Sequence, residues 1–189
     1  MRLRVLETER LTIRPWHVRD AERLFAIRTI PDVAKWLSKP DAWTHIDEAF
    51  EAIGRWSKVI DERGVLGHWA VVPHDRPPVG SVSLHLTPDG AETTIGWYLH
   101  PDSSGHGYAR EAAQALLHAA LRPGGADRIW ALMWPQNEAS AKVALAVGMT
   151  DLGVVDDPWY GEPAEPTSRV FCSYAEGDVP ADLRPVALS

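Results

Sequence analysis

The stretch "SSGHGYAREAAQALLHAAL", Ser103 to Leu121, joins a loop of small residues to a segment with helical periodicity. From Ala109 onward Ala112, Ala113, Leu116 and Ala120 form one stripe, while Arg110, Gln114 and His118 share another face, and "RPGGAD" ends the pattern. A loop entering a helix in this way aligns unpaired backbone N–H groups with the positive end of the helix dipole. Gly105 and Gly107 allow the positive φ angles that a nest of amides needs and let an anion approach the main chain closely. The junction is therefore read as an anion site made of backbone. It is neither of the familiar nucleotide loops: no G-x-x-x-x-G-K-[ST] is present, and G-x-G-x-x-G would require glycine where Arg110 stands.

Outward from this junction the periodicities specify a sheet. Upstream, "HWAVV", "GSVSLHL" and "TTIGWYLHP" are short apolar or alternating runs separated by "HDRPP" and "TPDG". Those connections are too short for a crossover helix, so the three runs are expected as an antiparallel meander. In the second run Val82, Leu84 and Leu86 alternate with Ser81, Ser83 and His85, and in the third Ile95, Trp97 and Leu99 share a side. Earlier still, "RDAERLFAIR" and "DEAFEAIGRWSKVI" carry helical spacing, and "RLTIRPW" reads as a strand ending at its proline. Downstream, "RIWALMW" suits a strand buried on both faces, and "NEASAKVALAVG" a helix capped by Asn137 and stopped by Gly148. The last part, through "SRVFCSY", reads as two strands around a proline-rich loop. The expected fold is mixed α/β (α+β), a mainly antiparallel sheet flanked by helices.

The chain has 189 residues, 45% hydrophobic and 24% charged, which suits one well-packed domain, expected over residues 6–178 with a flexible tail at 179–189. A net charge of −7 argues against nucleic acid as a partner, since phosphate backbones call for clustered Lys and Arg. The single cysteine, Cys172, rules out an intrachain disulfide and paired-cysteine zinc spacings, and no metal is expected. The first residues lack the apolar core of a signal peptide, and no run of the sequence is long enough to span a bilayer, so the expectation is a cytoplasmic protein without a membrane partner. The nine tryptophans are read first as packing residues.

Taken in order, these elements resemble the GNAT superfamily of acyl-CoA-dependent N-acetyltransferases over roughly residues 6–178. The motifs that carry the resemblance are "IGWYLHPDSSGHGYAREA" and, later, "NEAS", Asn137 to Ser140. "ETERLTIRPW" and "WPQNEASAKVALAVGM" are most similar to the branch containing the ribosomal-protein N-terminal acetyltransferases. The resemblance implies a splayed strand pair forming an acyl-CoA cleft, and acetyl-CoA as co-substrate. It implies that the backbone N–H groups of Gly105, His106, Gly107, Tyr108, Ala109 and Arg110 hold the pyrophosphate, and that the edge of Trp97, Tyr98 and Leu99 pairs with the pantetheine arm. Asn137 would contact that arm further along, and Ser140 would lie near the thioester sulfur. Two positions depart from the family pattern. Ser104 stands where Gln or Arg is usual in the loop, and Ala144 where many members place a general-acid tyrosine.

Transfer to an amine needs an uncharged nucleophile, stabilisation of an oxyanion and protonation of a departing thiolate. Ser140 is the candidate acid. The resemblance implies an acid on the strand that begins near Glu92, which makes Glu92 the leading candidate base and His85 the second, although Thr94 stands where the family's acid would be more readily expected. The acceptor is expected to be a peptide or protein N-terminal α-amine or a small amine, its pocket formed near Trp36 to Trp56 and near Trp159; a homodimer is compatible with the reading. The alternative is an acyl-CoA-binding sensor or interaction module with weak catalysis.

Overall fold

A computed structural model describes residues 5–37, 42–87, 89–121, 125–156 and 167–175. One eight-stranded sheet organises them, in the order β1-β2-β3-β4-β5-β6-β8-β7. The strands are β1 (Leu6–Glu7), β2 (Leu11–Pro15), β3 (Gly67–Pro73), β4 (Gly80–Leu86), β5 (Thr93–Leu99), β6 (Arg128–Met133), β7 (Thr150–Asp156) and β8 (Thr167–Tyr174). The helices are α1 (Ala21–Arg28), α2 (Pro31–Ala34), α3 (Asp47–Arg63), α4 (Tyr108–Ala120) and α5 (Glu138–Ala146). The meander over β3, β4 and β5 and the antiparallel β7–β8 pair fall where the alternation puts them. The two-residue β1 and the single-turn α2 are too short to leave a periodic signal in the sequence.

Every neighbouring pair is antiparallel except β5 and β6, which run parallel and pair only at Thr94 and Trp130. β5 is paired along its whole length with β4, so residues 95–99 have a bonded side toward β4 and no ladder partner on the β6 side among the described residues. The two strands meet at one rung and then diverge, opening the sheet at its centre. On the β4 side the fit is tight: a Cβ added at Gly80 would lie 2.7 Å from the Leu99 Cα, so only glycine lets β4 reach the end of β5.

Two layers of helices bury the two faces. On one, α4 and α5 pack Ala112, Ala113, Leu116, Ala141 and Ala144 against Trp69, Val71, Val82, Leu84, Ile95, Ile129 and Ala131. The stripe of alanines lets α4 lie close to the sheet. On the other face α1 and α3 bring Leu24, Ile27, Ala49 and Ile53 against Trp16 and Ala70. A part-buried ion pair ties the start of α1 to β2. Arg14 donates from Nη1 to Asp20 Oδ2 at 2.6 Å and from Nη2 to Oδ1 at 3.1 Å, while the His17 N–H donates to the same carboxylate. No helix among the described residues is long and apolar enough to cross a membrane.

Candidate active site

The loop before α4 has the backbone of an anion nest. Gly105 and Gly107 adopt φ of 79° and 77°, the left-handed region, and Gly107 is the N-cap of α4. None of the N–H groups from Gly105 to Arg110 has an acceptor among the described residues, the first helical bond being that of Glu111 N–H to Gly107 C=O. The loop carbonyls, in contrast, are engaged. His106 C=O accepts from Arg10 Nη1 at 2.9 Å, and Ser104 C=O lies 3.0 Å from His106 Nδ1. Donors are left free while acceptors are tied back, which is the polarity an anion requires.

Glu111, in the first turn of α4, anchors this arrangement. Its carboxylate accepts from Thr8 Oγ1 at 2.6 Å, from Arg10 N–H at 2.9 Å and from Arg10 Nε at 2.8 Å. Burial pushes the Glu111 pKa up, but the hydrogen bonds from Thr8 and Arg10 outweigh it and hold the group below its usual range. The β1–β2 turn thus fixes the N-terminus of α4. Ser104, His106 and Arg110 are exposed, as a surface loop requires, while Tyr108 is buried with its ring stacked on His106.

The open edge of β5 runs from this nest into the cleft, and it holds Trp97, Tyr98 and Leu99. Trp97 carries a buried indole N–H with no hydrogen-bond partner among the described residues. Across the gap, Asn137 is buried and caps α5, its Oδ1 accepting from Ser140 N–H at 3.1 Å, with no described acceptor for its Nδ2. Ser140 is half-buried, and its hydroxyl makes no hydrogen bond within its helix. Ala144, fully buried, is part of the core between α5 and the sheet. The unfilled N–H groups of the loop and of Trp97, the unpaired strand edge and the Asn137 amide together fit a phosphate-bearing amide chain such as CoA.

Glu92 is placed at the foot of the same cleft, just before β5, and is fully engaged there. It forms an ion pair with Arg128, whose Nε lies 2.9 Å from Oε2, and accepts from Trp130 Nε1 at 3.0 Å. The guanidinium holds its pKa below the usual carboxylate range, against the opposing effect of burial. Arg128 also donates to the Tyr174 hydroxyl at 3.2 Å. The cluster staples β5, β6 and β8 together where they meet. A carboxylate so stabilised in its charged form is a poor proton acceptor.

His85 offers different chemistry. It stands on β4 opposite Thr94, which is the one β5 residue paired with β6. Its side chain is exposed to solvent yet surrounded by protein, as in a concavity, and the desolvation lowers its pKa. The shift favours the neutral imidazole. Beside it, His68 on β3 packs with ring centroids 4.6 Å apart, and the other side of His68 stacks on Trp56 of α3 at 4.1 Å. Burial, then the neighbouring His85 and Arg28, lowers the His68 pKa strongly. Gly96 leaves a hollow in the floor between Thr94 and Tyr98, where an added Cβ would meet only Ser83 Oγ at 3.5 Å. The sequence reading did not single out His68, which is hidden inside an apolar run, or Arg28, four residues after Leu24 on the buried face of α1. The Trp36 to Trp56 region does contribute Trp43 and Trp56 to this face, whereas Trp159 lies outside the described residues. No group of His, Cys, Asp and Glu among the described residues is arranged to hold a metal.

A glycine-loop nest on α4, a sheet splayed at one parallel rung and an open strand edge define the acetyltransferase class, and comparison with known proteins agrees. The family described as "Acetyltransferase (GNAT) domain" matches residues 10–150, and the chain belongs to it. It is an acyltransferase. The uncharacterized N-acetyltransferase YoaA of Bacillus subtilis (strain 168) is 26% identical over 159 residues, 82% of this chain and 88% of YoaA. Among solved structures, a GNAT-family acetyltransferase from Bacillus anthracis has a TM-score of 0.74 at 22% identity, covering 92% of this chain and 99% of that one. RimL, a ribosomal L7/L12 alpha-N-protein acetyltransferase solved with coenzyme A, has a TM-score of 0.77 at 18% identity, covering 90% and 97%. These likenesses establish the shared fold.

Proposed function

We propose that the protein transfers the acetyl group of acetyl-CoA directly to a primary α-amine. The observation that carries this reading is the row of free N–H groups from Gly105 to Arg110, ahead of the open edge of β5. RimL, of the same fold, was solved with coenzyme A, which supports CoA as the donor's carrier. Gly105 to Arg110 hold the pyrophosphate, the edge at Trp97 to Leu99 and the Asn137 amide hold the pantetheine arm, and Ser140 supplies a hydroxyl for the departing sulfur. Transfer is direct because the one cysteine, Cys172, is fully buried and its thiol is pushed up to about 12 by burial, leaving no cysteine nucleophile for a covalent acyl-enzyme.

His85 is the base in this reading, in place of Glu92. Its lowered pKa sets the choice of acceptor. An α-ammonium, at about 7.7 to 8.0, is at least about 1.2 pK units above an ordinary histidine, whereas a lysine at about 10.4 is at least about 3.9 above it. Neutralising the lysine at pH 7 costs roughly 3 kcal/mol more, so a weak base favours the α-amine. The test offers peptides bearing both a free N-terminus and a lysine, with thiol release followed and products mapped by mass spectrometry. Acetylation at the N-terminus is expected; consistent modification of the ε-amine refutes the α-amine assignment. CoA at about 100 times its Kd should also stabilise the fold by roughly 2.7 kcal/mol, and a melt unmoved by saturating CoA removes the basis of the reading.

A further inference from the structure

Arg28 stands at the end of α1 with its guanidinium over the Trp43 ring at 4.7 Å and the Tyr98 ring at 5.6 Å. Its Nε is buried and has no hydrogen-bond partner among the described residues. Among the described residues it forms no ion pair. Glu48 acts on it electrostatically, but the Glu48 Oε1 atom accepts from the N–H groups of Thr44 and His45 at the start of α3. The Tyr98 hydroxyl beside it is also buried; Arg28 and Ser81 lie close enough to act on it, but none of the described residues meets it at full hydrogen-bond geometry. Ser81, the nearest hydroxyl on β4, is already committed, donating to Trp69 C=O at 3.0 Å and accepting from Trp16 Nε1 at 3.3 Å. Two unfilled donors, one of them cationic, therefore meet on the face of the sheet that carries His68 and His85.

A desolvated cation with unmade hydrogen bonds is costly unless something supplies the acceptor. Aromatic faces attract the guanidinium but take no N–H···O bond from its Nε. A carboxylate satisfies both needs, because a planar guanidinium and a phenolic O–H match its two oxygens. The surrounding wall of Trp43, Tyr98 and Phe25 excludes water and strengthens such a pairing. Along β4, Ser81 opposite Tyr98 and His85 opposite Thr94 are separated by four residues, roughly 13 Å of strand, a span that the Arg28 and His85 side chains and the acceptor between them have to bridge.

We infer that Arg28 and Tyr98 form a carboxylate-binding pair in the acceptor pocket, and that the amine acetylated at His85 belongs to a molecule that also carries a carboxylate. The inference rests on the proposed transfer to an α-amine and narrows it to amino acids, short peptides with a free C-terminus, or peptides led by an acidic residue.

The experiment uses matched acceptors with the full-length protein and acetyl-CoA. Free amino acids and dipeptides are each compared with their C-terminal amides, and Asp- or Glu-led peptide amides with Asn- or Gln-led ones. Within at least one pair type the carboxylate member should have a kcat/KM roughly 10- to 100-fold higher, mostly through KM, as for hydrogen bonds to a charged group. Arg28→Met should bring that ratio to about one, Arg28→Lys should keep part of it, and Tyr98→Phe should lower it less. No discrimination within any pair, or a ratio that survives Arg28→Met, overturns the inference. If no amine is acetylated, the transfer reading fails separately, and the pocket is read by calorimetry. N-acetyl dipeptide acids, titrated into the CoA-saturated protein, should bind more tightly than their amides in the wild type and equally in Arg28→Met; equal binding in both overturns the pair. Arg28→Met should not lower the thermal midpoint, and if it fails to fold, Arg28→Lys and Tyr98→Phe decide the matter by the same ratios.

Discussion

The loop from Ser104 to Gly107 presents main chain to the cleft, whereas the opposite face, over β4 and β5, presents His68, His85, Arg28, Trp43 and Tyr98. In the first region the carbonyls are tied back by Arg10 and His106, so the direction of the free N–H groups is fixed by the loop itself. In the second, polar atoms sit in an aromatic setting, with Arg28 Nε and the Tyr98 hydroxyl meeting no hydrogen-bond partner among the described residues. The difference separates two tasks. Main-chain donors suit a carrier that is the same at every turnover, while side chains can be exchanged to suit a particular acceptor without disturbing the carrier's site.

The strongest way to break this division is at the loop. Gly107→Val places a branched side chain at φ 77°, where its Cβ lies 3.4 Å from Arg10 Nη2, and it should abolish measurable CoA binding in calorimetry while circular dichroism remains that of a folded protein. Unchanged affinity would show that the pyrophosphate lies elsewhere. On the opposite face, His85→Gln should lower kcat by about 10² to 10⁴ with CoA affinity intact. It should also remove the acid limb of the pH–rate profile. Because the folded pKa is lowered, that limb falls below the ordinary histidine value of about 6.5. A limb that persists in the variant returns the base role to another group. Ser140→Ala should cost at most about 10² in kcat, again at constant CoA affinity.

Stability provides two smaller tests. Glu92→Gln leaves Arg128 without its carboxylate and should destabilise the fold by about 1–3 kcal/mol in denaturant unfolding, while leaving the acid limb in place. If Glu92 were the base, the limb would vanish with it. His68 and His85 both have folded pKa values below those of the unfolded chain, so the unfolded state binds more protons as the medium is acidified. Their contribution is fully present above about pH 6.5 and is lost as pH falls through the folded values. His68→Gln should flatten that part of the curve in pH-dependent melts.

The same contrast explains what the sequence made legible. Gly105, Gly107, Asn137 and Gly148 act through their own backbone or that of near neighbours, so local spacing was sufficient to place the nest, the cap and the helix end. The alternation of Ser81, Ser83 and His85 likewise placed these residues on one face. What spacing cannot carry is a meeting of distant elements. Arg28 from α1, His68 from β3, His85 from β4 and Tyr98 from β5 converge only through sheet register and helix docking, and the Arg128 partner that occupies Glu92 comes from β6. Glu92 looked available in the sequence because its partner is 36 positions away.

The single rung between Thr94 and Trp130 has a consequence for how β5 exchanges its amide protons. Along residues 95–99, hydrogens directed toward β4 belong to a continuous ladder and exchange slowly, while those directed toward β6 meet solvent and exchange quickly. One strand thus contains two interleaved classes of amide, an odd–even alternation that ordinary strands inside a sheet do not show. If the open edge takes the pantetheine arm as proposed, the fast class should slow and the alternation should fade, so this strand would report occupancy of the cleft residue by residue.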